Sequence, residues 1–195
     1  DLPELRRRAE WRRWIRKGTA FLEEGVRQNP DDWRLWANLG FLSADANKLV
    51  DYEQAEEAYR RAVATGSALP YIRRSQAYAL GRIPGREKEA LELVRALSEE
   101  PGGQVPTLMS LRFALEMQAD PGRDSVGYAL ELFGDPERAY RLLGDYYFGI
   151  RDQFPMDGVR PTLKILEEQL KIAPERSVIL ERERMEENPP DPWSP

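Results

Sequence analysis

Apolar residues recur three and four positions apart along nearly the whole chain. This spacing is typical of helices that bury one face, whereas strands alternate at every second residue. No stretch alternates for long enough to predict a strand. Proline recurs at wide, regular intervals, with Pro30, Pro101 and Pro174 separated by 71 and 73 residues. The pattern therefore predicts an all-α protein built from repeated units of about 36 residues.

A motif recurs at the same period. Residues 33–40 contain the pattern Trp-x-x-Leu-Gly, and residues 51–62 follow with Ala, Tyr and Ala at the spacing of a second helix. A second copy of Leu-Gly, at 143–144, lies 104 residues after the first, and its second helix is predicted at 162–172, before Pro174. These residues resemble the tetratricopeptide repeat, a helix–turn–helix unit of about 34 residues. The resemblance covers about three quarters of the chain.

The resemblance implies a right-handed α-α superhelical solenoid of helix hairpins, in which stacked neighbours share a core. Gly40, Gly144 and Ala55 are then the small residues where helices cross closely. The expected parts are a basic N-terminal helix at 1–32 (a cap or half repeat), four repeat-like units at 33–69, 70–102, 103–136 and 137–176, a capping helix at 177–187 and a Pro-rich extended tail at 188–195. The N-terminal helix carries an apolar stripe of Leu5, Trp11, Trp14, Ile15, Phe21, Leu22 and Val26.

The composition excludes most familiar catalytic designs. The chain contains no Cys and no His, so it lacks thiolate nucleophiles, Cys-ligated metals and the commonest general base. Acidic pairs such as Glu56-Glu57 are adjacent, and neighbours on a helix point about 100° apart, so they do not flank one atom. We therefore expect no enzyme activity, no cofactor and no metal site.

In this repeat family the first helix of each hairpin lines a concave groove that holds peptides. Transferring that pattern assigns partner contacts to Arg34, Asn38, Phe41, Arg74, Tyr78, Arg138, Arg141, Asp145 and Phe148. Cations interleaved with aromatic rings suit an acidic or aromatic-bearing peptide. The resemblance thus implies a non-enzymatic scaffold for a protein or peptide partner. The alternative is an accessory structural subunit or assembly factor of a membrane-associated complex, anchored through a segment before Asp1.

The net charge of −5 is unevenly distributed. Residues 1–30 carry eight Lys and Arg against five Asp and Glu, whereas the remainder carries 21 against 29, which argues against nucleic-acid binding. The basic patch consists of Arg6, Arg7, Arg8, Arg12, Arg13, Arg16 and Lys17. It has three interpretations: a juxtamembrane segment on the cytoplasmic side, a surface for anionic lipid or acidic partners, or a solvated cap. A cytoplasmic location is favoured, at the membrane face in the first interpretation, and a periplasmic one stays open, as does self-association.

The C-terminal segment ends in Asn-Pro-Pro-Asp-Pro-Trp-Ser-Pro, which cannot form a helix. Its composition is typical of extended or disordered chain. We expect Trp193 to anchor this tail by docking in a groove of this chain, of a second copy or of a larger assembly.

Overall fold

The computed structural model describes the backbone of residues 2–45, 50–149 and 158–187, and the side chains of 9–44, 50–148 and 158–187. All regular structure in these residues is helical, which confirms the all-α prediction. The helices are α1 (Leu2–Gln28), α2 (Trp33–Asp45), α3 (Tyr52–Ala64), α4 (Pro70–Leu80), α5 (Glu87–Glu99), α6 (Pro106–Ala119), α7 (Ser125–Phe133), α8 (Pro136–Gly149), α9 (Val159–Leu170) and α10 (Val178–Glu187), with a 3₁₀ turn at Pro174–Arg176. The tail at 188–195, including Trp193, lies outside the described residues.

Local signals set the helix ends. Asp51 caps α3, because its side chain accepts a hydrogen bond from the backbone N–H of Gln54 at 2.9 Å. The second helix of the last hairpin was predicted at 162–172, but α9 begins at Val159 and ends at Leu170. It stops there because Lys171 adopts a left-handed backbone with φ of 53°.

The helix bounds can be compared with the bounds of the expected units. The pairs α2–α3, α4–α5 and α6–α7 fall inside the expected units 33–69, 70–102 and 103–136, and α8 begins one residue before the expected start of the fourth. The superhelical arrangement of these pairs stays a prediction.

The chain divides into two compact units, Asp1–Ala90 (unit 1) and Leu91–Pro195 (unit 2), and the boundary falls within α5. In unit 1, α2 packs against both α1 and α3, and α3 also packs against α4. One buried cluster joins Ala37 of α2, Tyr59 of α3 and Ile72 of α4. Unit 1 is therefore held together by contacts between helices that follow each other in sequence.

Gly40 marks the closest crossing of α2 and α3. A Cβ atom built on Gly40 would lie 2.8 Å from Cε1 of Tyr59, closer than real Cβ contacts come. Tyr59 is 4% exposed and Ala55 is fully buried. The prediction that small residues stand where these helices cross is confirmed.

Only part of the predicted α1 stripe packs into the core. Ile15 and Val26 are buried and Leu22 is half-buried. Trp11, Trp14 and Phe21 are exposed by 42%, 68% and 75%. The apolar stripe of α1 is therefore divided between buried aliphatic residues and exposed aromatic ones, while the side chain of Leu5 lies outside the described residues.

The register of α1 on α2 explains the exposure of Trp11 and Trp14, but not that of Phe21, which lies between Gly18 and Gly25 where α2 is packed. A Cβ on Gly18 would meet Leu42 at 3.1 Å, and one on Gly25 would meet Leu35 at 3.5 Å, so the two helices run antiparallel. At this register the C-terminal end of α2 lies near residue 15 of α1. The preceding part of α1 extends beyond α2, because α1 has 27 residues and α2 has 13.

Helix α6 is the most buried helix of unit 2. Its residues 108–117 are buried except Arg112, which is half-buried. Helix α8 packs against α6, α7, α9 and α10. A Cβ on Gly144 of α8 would meet Val178 of α10 at 3.2 Å, so this predicted close crossing is also present. In α10, Ile179 is buried and Val178 is half-buried, as expected for a capping helix.

Candidate functional site

The predicted contact residues of α2 form one exposed row. Arg34, Asn38 and Phe41 are four and three residues apart, which places them on one side of the helix. All three are exposed, and the Phe41 ring is 61% exposed. The opposite side of α2 presents Gly40 to Tyr59. The buried side of α2 fixes the orientation of the helix. The large apolar side chain of Phe41 is therefore exposed to solvent.

A second row lies on α4 of the same unit. Arg74 and Tyr78 are half-buried and four residues apart. Tyr71 is 52% exposed and stands seven residues before Tyr78, so it lies on the same side of α4. Tyr71 was missed as a contact residue because the transferred groove pattern assigned only Arg74 and Tyr78 in this part of the chain. The α4 row therefore carries two tyrosines and one arginine.

The two rows border the contact between α2 and α4. Ala37 of α2 shares a buried cluster with Ile72 and Ala79 of α4. Arg34 and Phe41 stand three and four residues from Ala37, one turn to either side, and so they flank this contact. We call Arg34, Asn38, Phe41, Tyr71, Arg74 and Tyr78 the α2–α4 face.

The remaining predicted contact residues lie in unit 2. Arg138, Arg141, Asp145 and Phe148 follow one another on α8 at spacings of three and four, which places them on one side of the helix. The first three are exposed and Phe148 is half-buried. The α8 row therefore alternates charge and offers less exposed apolar surface than the α2–α4 face.

The basic patch is exposed where its side chains are described. Arg12, Arg13, Arg16 and Lys17 are all exposed, and the side chains of Arg6, Arg7 and Arg8 lie outside the described residues. The ammonium group of Lys17 lies 5.4 Å from the ring centroid of Trp14, within the range of a cation–π contact. The N-terminal part of α1 thus combines cations with exposed aromatic rings.

The structure also contains a charged cluster in unit 2 that was not predicted. Arg95 of α5 donates two hydrogen bonds to the carboxylate of Glu116 on α6, from Nε at 2.8 Å and Nη2 at 2.7 Å. Arg123 donates a third from Nη1 at 3.3 Å, and Nε of Arg112 lies 3.9 Å from the same carboxylate. Glu116 is 5% exposed. We call Arg95, Arg112, Glu116, Arg123 and Tyr128 the Glu116 cluster.

Tyr128 completes this cluster on α7. The guanidinium carbon of Arg123 lies 3.6 Å from the centroid of its ring, and the ring of Phe113 stacks on it at 5.8 Å. Burial raises the pKa of Tyr128, and the charge of Glu116 adds to this effect. The hydrogen bond from Arg95 lowers the pKa of Glu116, against the opposing effect of burial. The tyrosine therefore stays protonated and the glutamate ionised at neutral pH.

One sequence signal pointed to this cluster. Arg112 and Glu116 are four residues apart in the otherwise apolar run from Leu108 to Met117, and buried charges occur in pairs. The signal identifies a buried ion pair on α6. It does not identify Arg95 and Arg123, because they come from other segments of the chain.

A hydrogen-bonded group joins α8, α9 and α10. The hydroxyl of Tyr140 donates to Oε1 of Glu167 at 2.9 Å and accepts from the backbone N–H of Val178 at 3.1 Å. Ser177 donates to the same carboxylate at 2.9 Å and caps α10 through a 3.1 Å bond from the N–H of Leu180. Burial is the main effect that raises the pKa of Tyr140 to about 12. A phenol with such a pKa is a poor base or nucleophile at neutral pH, so this group ties helices together.

Comparison with known proteins gives no family. No family model, curated protein or solved structure matches this chain. Among the described residues, no group of three or more acidic side chains is placed to hold a metal ion. No helix in the same part of the chain has both the length and the apolar content needed to cross a bilayer.

Proposed function

We propose that this protein is a non-enzymatic scaffold of tetratricopeptide-like hairpins that binds a peptide segment or a partner subunit. The observation that carries the proposal is the exposed Phe41 ring, aligned with Arg34 and Asn38 on α2. Aromatic and arginine side chains supply most of the binding energy in protein interfaces. The order of helix pairs and the close crossing at Gly40 support the repeat assignment.

Binding on the α2–α4 face would use two kinds of contact. The rings of Phe41, Tyr71 and Tyr78 would cover apolar side chains of the partner, and each large ring buries substantial apolar area. The guanidinium groups of Arg34 and Arg74 would pair with acidic side chains, since arginine forms two parallel hydrogen bonds to a carboxylate. The preferred ligand is therefore an acidic segment that carries aromatic or aliphatic anchors. The α8 row of unit 2, with Arg138, Arg141, Asp145 and Phe148, is a separate candidate contact surface and is not needed for binding on the α2–α4 face.

Selection of ligands from a random peptide library tests this function. We expect the wild-type protein to enrich peptides with acidic and aromatic residues, and Phe41→Ala to weaken their binding by about tenfold or more, the loss typical of an interface anchor. The matched control is Phe21→Ala, which removes an exposed phenylalanine ring from α1. Equal loss in both variants, or no enriched peptide, would contradict the proposal.

A second candidate function rests on α1. Its exposed Trp11, Arg13 and Trp14 lie on a stretch of helix that extends beyond α2, and the ammonium group of the exposed Lys17 lies over the Trp14 ring. Tryptophan rings and cations together are typical of helices that lie on anionic lipid surfaces. This arrangement fits a role at the face of a membrane-associated complex.

Vesicle co-sedimentation tests the second candidate. Exchanging Arg12, Arg13 and Arg16 for Glu reverses three charges, each contributing about 1 kcal/mol of attraction to an anionic surface. We expect wild-type protein to sediment with phosphatidylserine-containing vesicles and the triple variant to stay in the supernatant. Vesicles of phosphatidylcholine alone are the control. Equal sedimentation of both proteins with anionic vesicles would exclude this role for α1.

A further inference from the structure

The Glu116 cluster contains more cations than its carboxylate needs. Arg95 alone satisfies one lone pair on each oxygen of Glu116 through its two-pronged contact. Arg123 adds a further bond at 3.3 Å, and Arg112 stands beside the same group. Arg112 also donates from Nη1 to Oγ of Ser98 at 3.3 Å, and Arg123 covers the Tyr128 ring, but neither contact adds a negative charge to the cluster.

The cluster contains more guanidinium groups than carboxylates. Three guanidinium groups face the single carboxylate of Glu116. Glu92, three residues before Arg95 on α5, contributes a weaker attraction on that arginine. With both acids counted, these contacts comprise three guanidinium groups and two carboxylates. The side chains of Arg95, Arg112 and Arg123 are 47%, 24% and 34% exposed, so the guanidinium groups can be reached from solvent.

The guanidinium group of Arg112 lies beside the Tyr128 hydroxyl and can donate to it, but two buried donor atoms of the cluster have no acceptor of their own among the described residues. They are the hydroxyl of Tyr128, a side chain that is 5% exposed, and Nε of Arg112. Both can donate a hydrogen bond, and Nε of arginine can only donate. Buried donors without acceptors are costly, so their presence points to an acceptor group that is not part of these helices. Arg123 covers the Tyr128 ring, and rotation of this surface side chain would open the way to the hydroxyl.

We propose that the Glu116 cluster binds an oxyanion on a peptide partner, either a phosphorylated side chain or two adjacent carboxylates. Arg95 and Arg123 would pair with the outer oxygens, while Arg112 and the Tyr128 hydroxyl would donate to an inner oxygen. A peptide is favoured over a lipid surface because the large exposed apolar side chains described in unit 2 lie on α9 and α10, which contribute no residue to the cluster. The proposal concerns unit 2 and does not depend on the α2–α4 face.

Two variants separate ligand binding from structure. The probes are inorganic phosphate, a phosphoserine peptide, and the same peptide with two glutamates at the modified position, titrated by calorimetry and by NMR of the arginine Nε–H signals. We expect Arg123→Gln to weaken binding by about tenfold, the value for one charge-assisted hydrogen bond. Tyr128→Phe should weaken it several-fold while thermal stability stays equal or rises, because the hydroxyl that it removes has no acceptor of its own. Lys164→Gln, which removes an exposed cation of α9, is the charge-matched control.

Four outcomes would overturn the proposal. No binding of any probe at low ionic strength would exclude the site. Equal weakening by Arg123→Gln and Lys164→Gln would reduce the effect to general charge attraction. If the protein bound anionic vesicles but none of the three probes, the cluster would be a membrane-binding site and not a peptide-binding one. A crystal structure in which one ordered water accepts from both Tyr128 and Arg112, unchanged by the probes, would show that the donors serve the fold alone. Preference for one peptide over the other supports the proposal and identifies the oxyanion.

Discussion

Replacing Gly40 by alanine tests the helix crossing on which unit 1 is built. Two effects oppose each other in this substitution. Alanine favours a helix over glycine by about 1 kcal/mol. The added Cβ, however, would lie 2.8, 2.9 and 3.0 Å from three carbons of the Tyr59 ring, which is itself buried. Overpacking of this kind costs roughly 1–3 kcal/mol, because a rigid ring must move together with its neighbours.

We expect Gly40→Ala to lower the free energy of unfolding by about 1 kcal/mol. In a Tyr59→Leu background, where the ring is gone, the same change should raise it by up to about 1 kcal/mol. The coupling between the two positions is then about 2 kcal/mol, within the range found for residues in contact. Urea unfolding followed by circular dichroism gives all four free energies.

Gly25→Ala is the matched control for this cycle. A Cβ at this helical glycine would meet Leu35 at 3.5 Å, an ordinary contact, so the change should stabilise the protein by up to about 1 kcal/mol. If Gly40→Ala has the same effect with and without the Tyr59 ring, within about 0.5 kcal/mol, the close crossing is refuted.

Three further predictions follow from hydrogen bonds. Trp36→Phe removes the 2.7 Å bond from the indole Nε1 to the carbonyl of Pro30 and should cost about 1 kcal/mol in urea unfolding. Tyr140→Phe should flatten the loss of stability between pH 10 and 12, because the tyrosine ionises near pH 10 when unfolded but only near its raised pKa of about 12 when folded. Glu116→Gln should cost about 2 kcal/mol at pH 7 and less under acid, because Arg95 lowers the pKa of Glu116 and its stabilisation is lost as pH falls below about 4.5.

The helical fold could be predicted from the sequence because its signals are local. The spacing of apolar residues and the positions of the prolines predict the helices. A small residue in one helix and an aromatic residue in the next, such as Gly40 and Tyr59, predict a close crossing of these two consecutive helices. The exposure of Trp14 and Phe21 could not be predicted in this way. The period of α1 shows that these rings share a side, but Trp14 is exposed because α1 extends beyond the shorter α2, whereas Phe21 is exposed although it lies within the stretch packed on α2.

The candidate sites show the same difference between local and distant information. Spacing placed Arg34, Asn38 and Phe41 on one side of α2, since a helix fixes residues three and four apart. The Glu116 cluster depends on Arg95, which is 21 residues before Glu116 and on another helix. Such a pairing depends on how the helices pack. The spacing of residues along a single sequence does not predict it.

Photo-crosslinking at position 41 tests the proposed binding face most directly. A photoreactive phenylalanine analogue in place of Phe41 would react with whatever contacts the α2–α4 face, and the same analogue at Phe21 provides the control. We predict a discrete crosslinked partner at position 41 that is absent at position 21 and is displaced by an acidic peptide with aromatic anchors selected for this face. No crosslink at position 41, or the same products at both positions, would contradict a scaffold that binds through this face.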